Sequence, residues 1–102
     1  MKIGVAASSG VLLALSVPVA PLAAPGDNVS VRACARAGVE ANCAVITGED
    51  GSVYNISAAS PKPPFSVKIE LRGTVTDKIS ACNQGLVLER ITWTATEERC
   101  GN

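Results

Sequence analysis

The sequence predicts an exported domain of the all-β class, and three observations support this prediction. Apolar and polar residues alternate with a period of two along several segments after residue 27, as they do in half-buried strands. Residues with β-branched side chains are frequent in those segments, and no strong pattern of an amphipathic helix is present. An apolar leader without charge after Lys2 precedes them, and all four cysteines follow it.

The leader over residues 1–26 has the pattern of a secretory signal peptide. A positive start at Met1-Lys2 is followed by an apolar run over residues 3–19 and then by small residues and prolines. Cleavage after Gly26 predicts a mature domain over residues 27–102, located in the periplasm or secreted. The alternative is an uncleaved membrane anchor, but polar residues interrupt the run, which is short for a span of about 20 apolar residues. Membrane contact is therefore expected only through an uncleaved leader.

Three strands are predicted in the first half of the mature chain. Residues 28–36 alternate valine and alanine with polar residues, and residues 42–47 and 52–57 are rich in Val and Ile. Residues 48–51 between the second and third strands include Asp50-Gly51, a pair that readily adopts the positive φ angles of a tight hairpin turn. A β-hairpin is therefore expected there.

Two longer strands are predicted in the second half. Residues 58–64 contain three prolines, which lack ladder donors, and are expected to form an extended connector. Residues 65–76 alternate cleanly and form the fourth strand, with a bend or bulge at Gly73. A connection over residues 77–85 leads to the fifth strand over residues 86–95, and a polar tail ends the chain.

Five short strands in one small domain predict a particular architecture. A flat sheet of this size would expose both edges, so the strands are expected to curl. We predict a small, partly open OB-like barrel, with a compact sandwich as the alternative.

The four cysteines predict a disulfide framework. An even number of cysteines in a small exported domain is typical of such a framework, and two bridges would stabilise a modest core. A zinc site is not expected, because no pair has the CxxC spacing and the chain has no histidine. Four cysteines allow three pairings, and the residues alone do not choose among them. The cysteines are Cys34, Cys43, Cys82 and Cys100.

Composition argues against several classes of function. The nine Lys and Arg residues balance nine Asp and Glu residues, and the chain has only three aromatic residues, so no nucleic-acid partner is expected. Without histidine the chain has no ready acid–base group near neutrality, so we predict that it is not an enzyme. No metal or other cofactor is expected.

A non-enzymatic binding or structural module is therefore the predicted function. Its ligand would be a protein, an envelope component or a small molecule. The candidate ligand-binding residues are Tyr54, Phe65 and Lys62. Tyr54 is predicted to lie on the surface, because the alternation of its neighbours Val53 and Ile56 does not place it on the buried face of the strand. Phe65 and Lys62 belong to the proline-rich loop. The alternative is a small inhibitor of a secreted or envelope enzyme that presents Lys62 to a trypsin-like pocket, although Pro63 would obstruct substrate-like docking.

Four segments together resemble a bacterial family of small exported domains of unknown function. They are a cysteine that opens a hairpin (42–46), a DG turn and the strand after it (49–56), a strand that ends in Gly-Thr (67–75) and a Cys-x-Gln-Gly turn (79–85). The resemblance covers roughly residues 29–95. It implies an OB-like fold and no activity, since the family is uncharacterised.

The resemblance also implies a disulfide pairing. Cys43 and Cys82 match the family pattern and would be partners, which leaves Cys34 to pair with Cys100. This second pair departs from the typical member, as do the prolines before the fourth strand. A pairing of Cys34 with Cys43 across a turn at Gly38 remains the alternative.

Overall fold

A computed structural model describes residues 22–101, and these residues form a single mixed β-sheet of six strands. Most of the predicted signal peptide lies outside them. The sheet order is β1-β5-β6-β4-β3-β2. Within the described residues no helix is long and apolar enough to cross a membrane. The strands are β1 (Asn28–Ala33), β2 (Arg36–Ala37), β3 (Ala44–Thr47), β4 (Val53–Asn55), β5 (Val67–Val75) and β6 (Leu86–Arg99).

The all-β class is confirmed, whereas the OB-like barrel remains a prediction. The sheet does not close: β1 and β2 lie at its two ends, and β1 touches β3 without forming a ladder with it in the described chain. The prediction of five strands was wrong, because the first predicted strand breaks at Cys34 and Ala35. Ala35 turns into the core, and the chain resumes as β2 alongside β3.

The end of the chain is also more regular than predicted. The last strand does not stop at residue 95 but continues to Arg99, where it pairs with Val67 of β5. Within an irregular stretch of this ladder, the hydroxyl of Thr96 donates to the carbonyl of Lys68 at 2.8 Å. The polar tail is therefore mostly strand.

The predicted hairpin is present as β3 and β4. The amide of Gly48 donates to the carbonyl of Ser52 at 2.8 Å and closes the turn. Gly51 has a φ of 88°, which a glycine adopts without a steric penalty.

The sheet has a larger half, β1-β5-β6, and a smaller half, β4-β3-β2. Strand β5 forms the centre of the larger half. It pairs antiparallel with β1 on one side and with β6 on the other. Its alternation is as predicted: Ile69, Leu71 and Val75 are buried, while Glu70 and Arg72 are exposed. One face of this half therefore packs into the core and the other meets solvent.

A β-bulge bends β6 opposite the predicted bend at Gly73. Between the pairs Thr74–Glu89 and Arg72–Thr92, β5 has one residue and β6 has two. Arg90 in the bulge has a positive φ of 55°. Such a bulge bends its strand and increases the local twist. Because β6 also pairs with β4, in parallel at Leu86 and Val87, the bend turns the two halves of the sheet toward each other.

A single core fills the space between the two halves. Its members come from every strand except β2, and from the residues that flank the strands. They are Val31, Ala35, Ala44, Ile46, Tyr54, Ile56, Ile69, Leu71, Val75 and Leu88.

Residues before the predicted cleavage site also contact this domain. Ala23 packs against the core, and the amide of Gly26 donates to the carbonyl of Val75 at 2.8 Å. The domain boundary at residue 26 remains a prediction.

The predicted disulfide framework is present. Cys34 is bonded to Cys100 and Cys43 to Cys82, with Cα–Cα distances of 6.0 and 5.8 Å. This is the pairing that the resemblance implies, and it leaves no free cysteine in the described chain.

We expect removal of either disulfide to lower the free energy of unfolding by about 2–4 kcal/mol. The double variants Cys34→Ala/Cys100→Ala and Cys43→Ala/Cys82→Ala should lose similar amounts, because the closed loops differ only between 66 and 39 residues and closure entropy grows slowly with length. Urea unfolding measures the losses. Peptide mapping that joins Cys34 to Cys43 in the native protein would contradict this arrangement.

Two glycines with positive φ allow a matched test of the packing at the start of β6. A Cβ on Gly85 would lie 2.5 Å from the carbonyl oxygen of Val53, whereas one on Gly51 meets nothing within 4 Å. We expect Gly51→Ala to cost about 1–2 kcal/mol of stability because of its backbone conformation alone. Gly85→Ala should cost about 1–3 kcal/mol more because of overpacking. Urea unfolding measures both losses of stability. Equal losses for Gly51→Ala and Gly85→Ala would show that β4 does not pack closely against Gly85.

Candidate functional site

An open groove of about 780 Å³ lies between the two halves of the curled sheet. Three consecutive residues from each strand of the larger half line it, together with the hairpin turn and one residue of β4. The lining residues are Ser30, Val31, Arg32, Gly48, Glu49, Asp50, Tyr54, Glu70, Leu71, Arg72, Thr92, Trp93 and Thr94. Its volume is in the range of small-ligand sites.

Strand register builds the apolar part of this groove. Val31 pairs with Leu71, and Leu71 pairs with Trp93, so the three side chains form one row across the larger half of the sheet. All three belong to the core or pack against it. Because side chains alternate between the faces of a strand, their sequence neighbours contribute backbone to the groove and direct their side chains to the opposite face.

Charged side chains cover that opposite face. The guanidinium of Arg32 lies 3.3 Å from the carboxylate of Glu70 and 2.9 Å from that of Glu98. Glu98 is also 3.3 Å from the ammonium of Lys68. These exposed pairs add little stability individually, and they keep the outer face of the sheet polar.

Tyr54 lies at the inner side of the groove rather than on the surface. Only 6% of the residue is exposed, so its predicted position as a surface aromatic was wrong. The two residues that follow it explain the difference: Asn55 and Ile56 are also buried, because the chain leaves β4 through the core and not along its rim. Within residues 22–101 the phenol hydroxyl of Tyr54 is not a buried polar atom without a hydrogen-bond partner.

The hairpin turn brings two carboxylates to the groove. Asp50 accepts hydrogen bonds from the amide of Ser52 at 2.9 Å and from its hydroxyl at 3.1 Å. These two bonds, the amide first, lower the pKa of Asp50 below its ordinary value. In the described part of the chain neither Glu49 nor Asp50 forms an ion pair. The turn therefore presents negative charge that no cation of the domain neutralises.

Trp93 ties the groove to the proline-rich loop. Its indole N–H donates to the carbonyl of Pro61 at 2.8 Å, and its ring is half-buried. The ammonium of Lys62 donates to the carbonyl of Asn42, and Pro63 is buried. The loop is thus fixed to the domain at three places.

The predicted ligand-binding residues do not come together. Tyr54 lines the groove, whereas Phe65, which is 47% exposed, and Lys62 lie outside its lining. The residues that sequence reasoning missed are Val31, Leu71 and Trp93. Only the cross-strand register aligns them, and no local pattern reports that register.

One edge of the groove is a free strand edge. Strand β1 is the first strand in the sheet order and pairs only with β5. In the described chain no backbone hydrogen bond reaches its other side. Ser30, Val31 and Arg32 of this strand also line the groove, so the free edge borders it.

A second cavity of about 150 Å³ lies beside the Cys43–Cys82 disulfide. Gln84 crosses it and accepts a hydrogen bond from the amide of Val39 at 2.9 Å. Its size and this structural contact make it a packing feature. Among the described residues no group of three or more potential metal ligands occurs.

Comparisons of the chain with protein-family models, with curated proteins and with solved structures found no match. The resemblance to small exported domains therefore remains a prediction, and the function rests on the geometry of the groove.

The hydrogen bonds within the hairpin turn predict that a substitution of Ser52 changes the pKa of Asp50. Ser52→Ala removes the hydroxyl donor but keeps the amide donor, so the pKa of Asp50 should rise part of the way toward its ordinary value. A lowered pKa stabilises the folded state above the ordinary value, and this contribution is lost as the pH falls through the folded pKa. In the variant the total loss should be smaller, and it should be complete at a higher pH, because the folded pKa lies closer to the ordinary value.

Carboxyl chemical shifts of Asp50 followed by NMR through an acid titration measure this change. Ser66→Ala, just before β5, serves as the control and should leave the titration unchanged. An unaltered pKa in Ser52→Ala would show that the amide alone holds the carboxylate.

Proposed function

We propose that this protein is an exported, non-enzymatic binding module that holds its ligand in the groove between the two halves of its sheet. The observation that carries the proposal is the open groove in which the half-buried ring of Trp93, beside the buried Val31 and Leu71, lies near the unpaired carboxylates of the hairpin turn. An apolar surface with a few convergent polar groups is typical of a ligand site.

The construction of the domain supports this proposal. Two disulfides cross-link a domain with a small core and stabilise the fold that forms the groove. A site that is already ordered loses less entropy when it binds. Two disulfides in a small domain are also consistent with an oxidising compartment, in agreement with the proposed export.

The chemistry around the groove favours binding over catalysis. The chain has no histidine, and the pKa of Asp50 is lowered, whereas a general acid or base near neutrality requires a raised carboxyl pKa. The groove thus offers shape, apolar area and fixed charge.

Inhibition of a secreted enzyme remains the alternative prediction. It receives no support from the loop that would carry it, since Lys62 is engaged with Asn42 and Pro63 is packed into the domain. An inhibitory lysine has to be free to enter the pocket of the target enzyme.

A defined panel tests the proposed function. The oxidised protein, labelled with ¹⁵N, is titrated to millimolar concentration with short peptides, oligosaccharides, organic amines and anionic phospholipid vesicles. We expect at least one class to shift the signals of Val31, Tyr54 and Trp93 selectively, and Trp93→Ala should weaken that binding at least tenfold. Phe65→Ala is the matched control, because Phe65 is an exposed aromatic outside the groove.

Two results would overturn the proposal. One is a complete panel that leaves the groove signals unshifted. The other is binding that Phe65→Ala weakens as much as Trp93→Ala does. Spectra of each free variant establish beforehand that it is folded.

A further inference from the structure

We infer that the groove binds an extended peptide segment of a partner protein that carries a lysine or arginine among apolar residues and adds as a strand to the free edge of β1. The inference rests on the proposed function and specifies the ligand of the same groove. It combines three features that meet there: a strand edge, an apolar row and an acidic turn.

The backbone of β1 presents its free hydrogen-bonding groups at the groove. The amide of Val75 donates to the carbonyl of Asp27 at 2.9 Å, which identifies residues 27 and 75 as a hydrogen-bonded pair. In an antiparallel ladder such pairs alternate with pairs whose backbone groups point away from each other. Counting along the regular register from this pair, Val31 bonds to β5, whereas Ser30 and Arg32 direct their N–H and C=O groups to the free edge.

The side chains of an added strand would alternate between the core face and the charged outer face of the sheet. Its residue opposite Val31 has its side chain on the core face of the sheet, because directly opposite residues share a face. This position requires an apolar side chain. Strand addition of this kind obtains affinity from the main chain and specificity from alternate side chains.

The hairpin turn selects the charge of the segment. Glu49 and Asp50 line the groove and have no ion-pair partner in residues 22–101, and the hydrogen bonds from Ser52 keep Asp50 ionised. The aromatic rings of Tyr54 and Trp93 also attract a cation that lies over them. A lysine or arginine side chain satisfies both preferences, whereas an acidic side chain is repelled by the turn.

Matched peptides test the inference. The basic probe is acetyl-Val-Lys-Val-Lys-Val-amide, and its acidic counterpart carries glutamate in place of both lysines. A third peptide has the basic sequence with N-methyl groups on alternate amides, which removes the ladder donors, and n-butylammonium supplies the cation alone. We expect the basic peptide to bind at least tenfold more tightly than each of the other three, by NMR titration of the full domain.

Amide hydrogen exchange locates the bound strand. In the complex with the basic peptide, exchange at Ser30 and Arg32 should slow at least tenfold, because their N–H groups gain acceptors. The amide of Val31, already bonded to β5, serves as the internal reference and should change little.

A charge variant tests the acidic turn. Glu49→Gln should weaken the basic peptide about threefold to tenfold and reduce the dependence of binding on salt. Glu97→Gln is the matched control, since Glu97 is an exposed glutamate of β6 outside the groove lining. Equal effects of the two variants would overturn the selection of charge.

The remaining outcomes separate this inference from the proposed function. The inference fails if the acidic or N-methylated peptide binds as tightly as the basic one, if n-butylammonium alone does so, or if exchange at Ser30 and Arg32 is unchanged. If another class of the panel shifts the groove signals while the basic peptide does not, the inference fails and the proposed function stands. If no class shifts them, both fail.

Discussion

The structure depends on one shared strand. Strand β6 pairs with β5 along most of its length and with β4 at its first two residues, so it is the only strand that belongs to both halves of the described sheet. The bulge at Arg90 bends it, and the bend brings the inner faces of the two halves together. Without that bend the apolar row of the larger half would lie open, and the hairpin turn would have nothing to face.

The covalent links secure the two places that this arrangement leaves weakest. The Cys34–Cys100 bond joins the end of β1 to the end of β6, where the ladder with β5 is irregular. The Cys43–Cys82 bond anchors the long connection that leads into β6. Asn55 reinforces that anchor from the core, since its buried amide donates to the carbonyl of Cys82. The first disulfide therefore fastens the edge of the larger half, and the second ties the smaller half to the connection that leads into β6.

Local sequence patterns predicted the strands and turns that depend on neighbouring residues. They failed where the structure depends on contacts between residues that are distant in the sequence. The alternation of β5 and the Asp50-Gly51 turn depend on neighbouring residues, and both are present as predicted. The break after β1 depends on the burial of Ala35 in a core that distant strands build. Tyr54 was misplaced for a related reason, because its burial follows from the path of the chain after β4. The groove could not be predicted, since its apolar row exists only through the pairing of three strands.

The partial exposure of Trp93 is informative because the domain is small. Burial of apolar surface stabilises a fold by roughly 25 cal/mol per Å², and a domain of this size has little such area to spare. Trp93 nevertheless remains half-buried, and β1 touches β3 without forming the ladder that would close the sheet over it. A closed sheet would bury Trp93 and pair the edge of β1, but it would eliminate the groove. Open edges invite association with other chains, and here the charged outer face and the two-residue length of β2 limit it elsewhere. The edge beside the groove is thus the place where association with an extended segment fits the rest of the molecule.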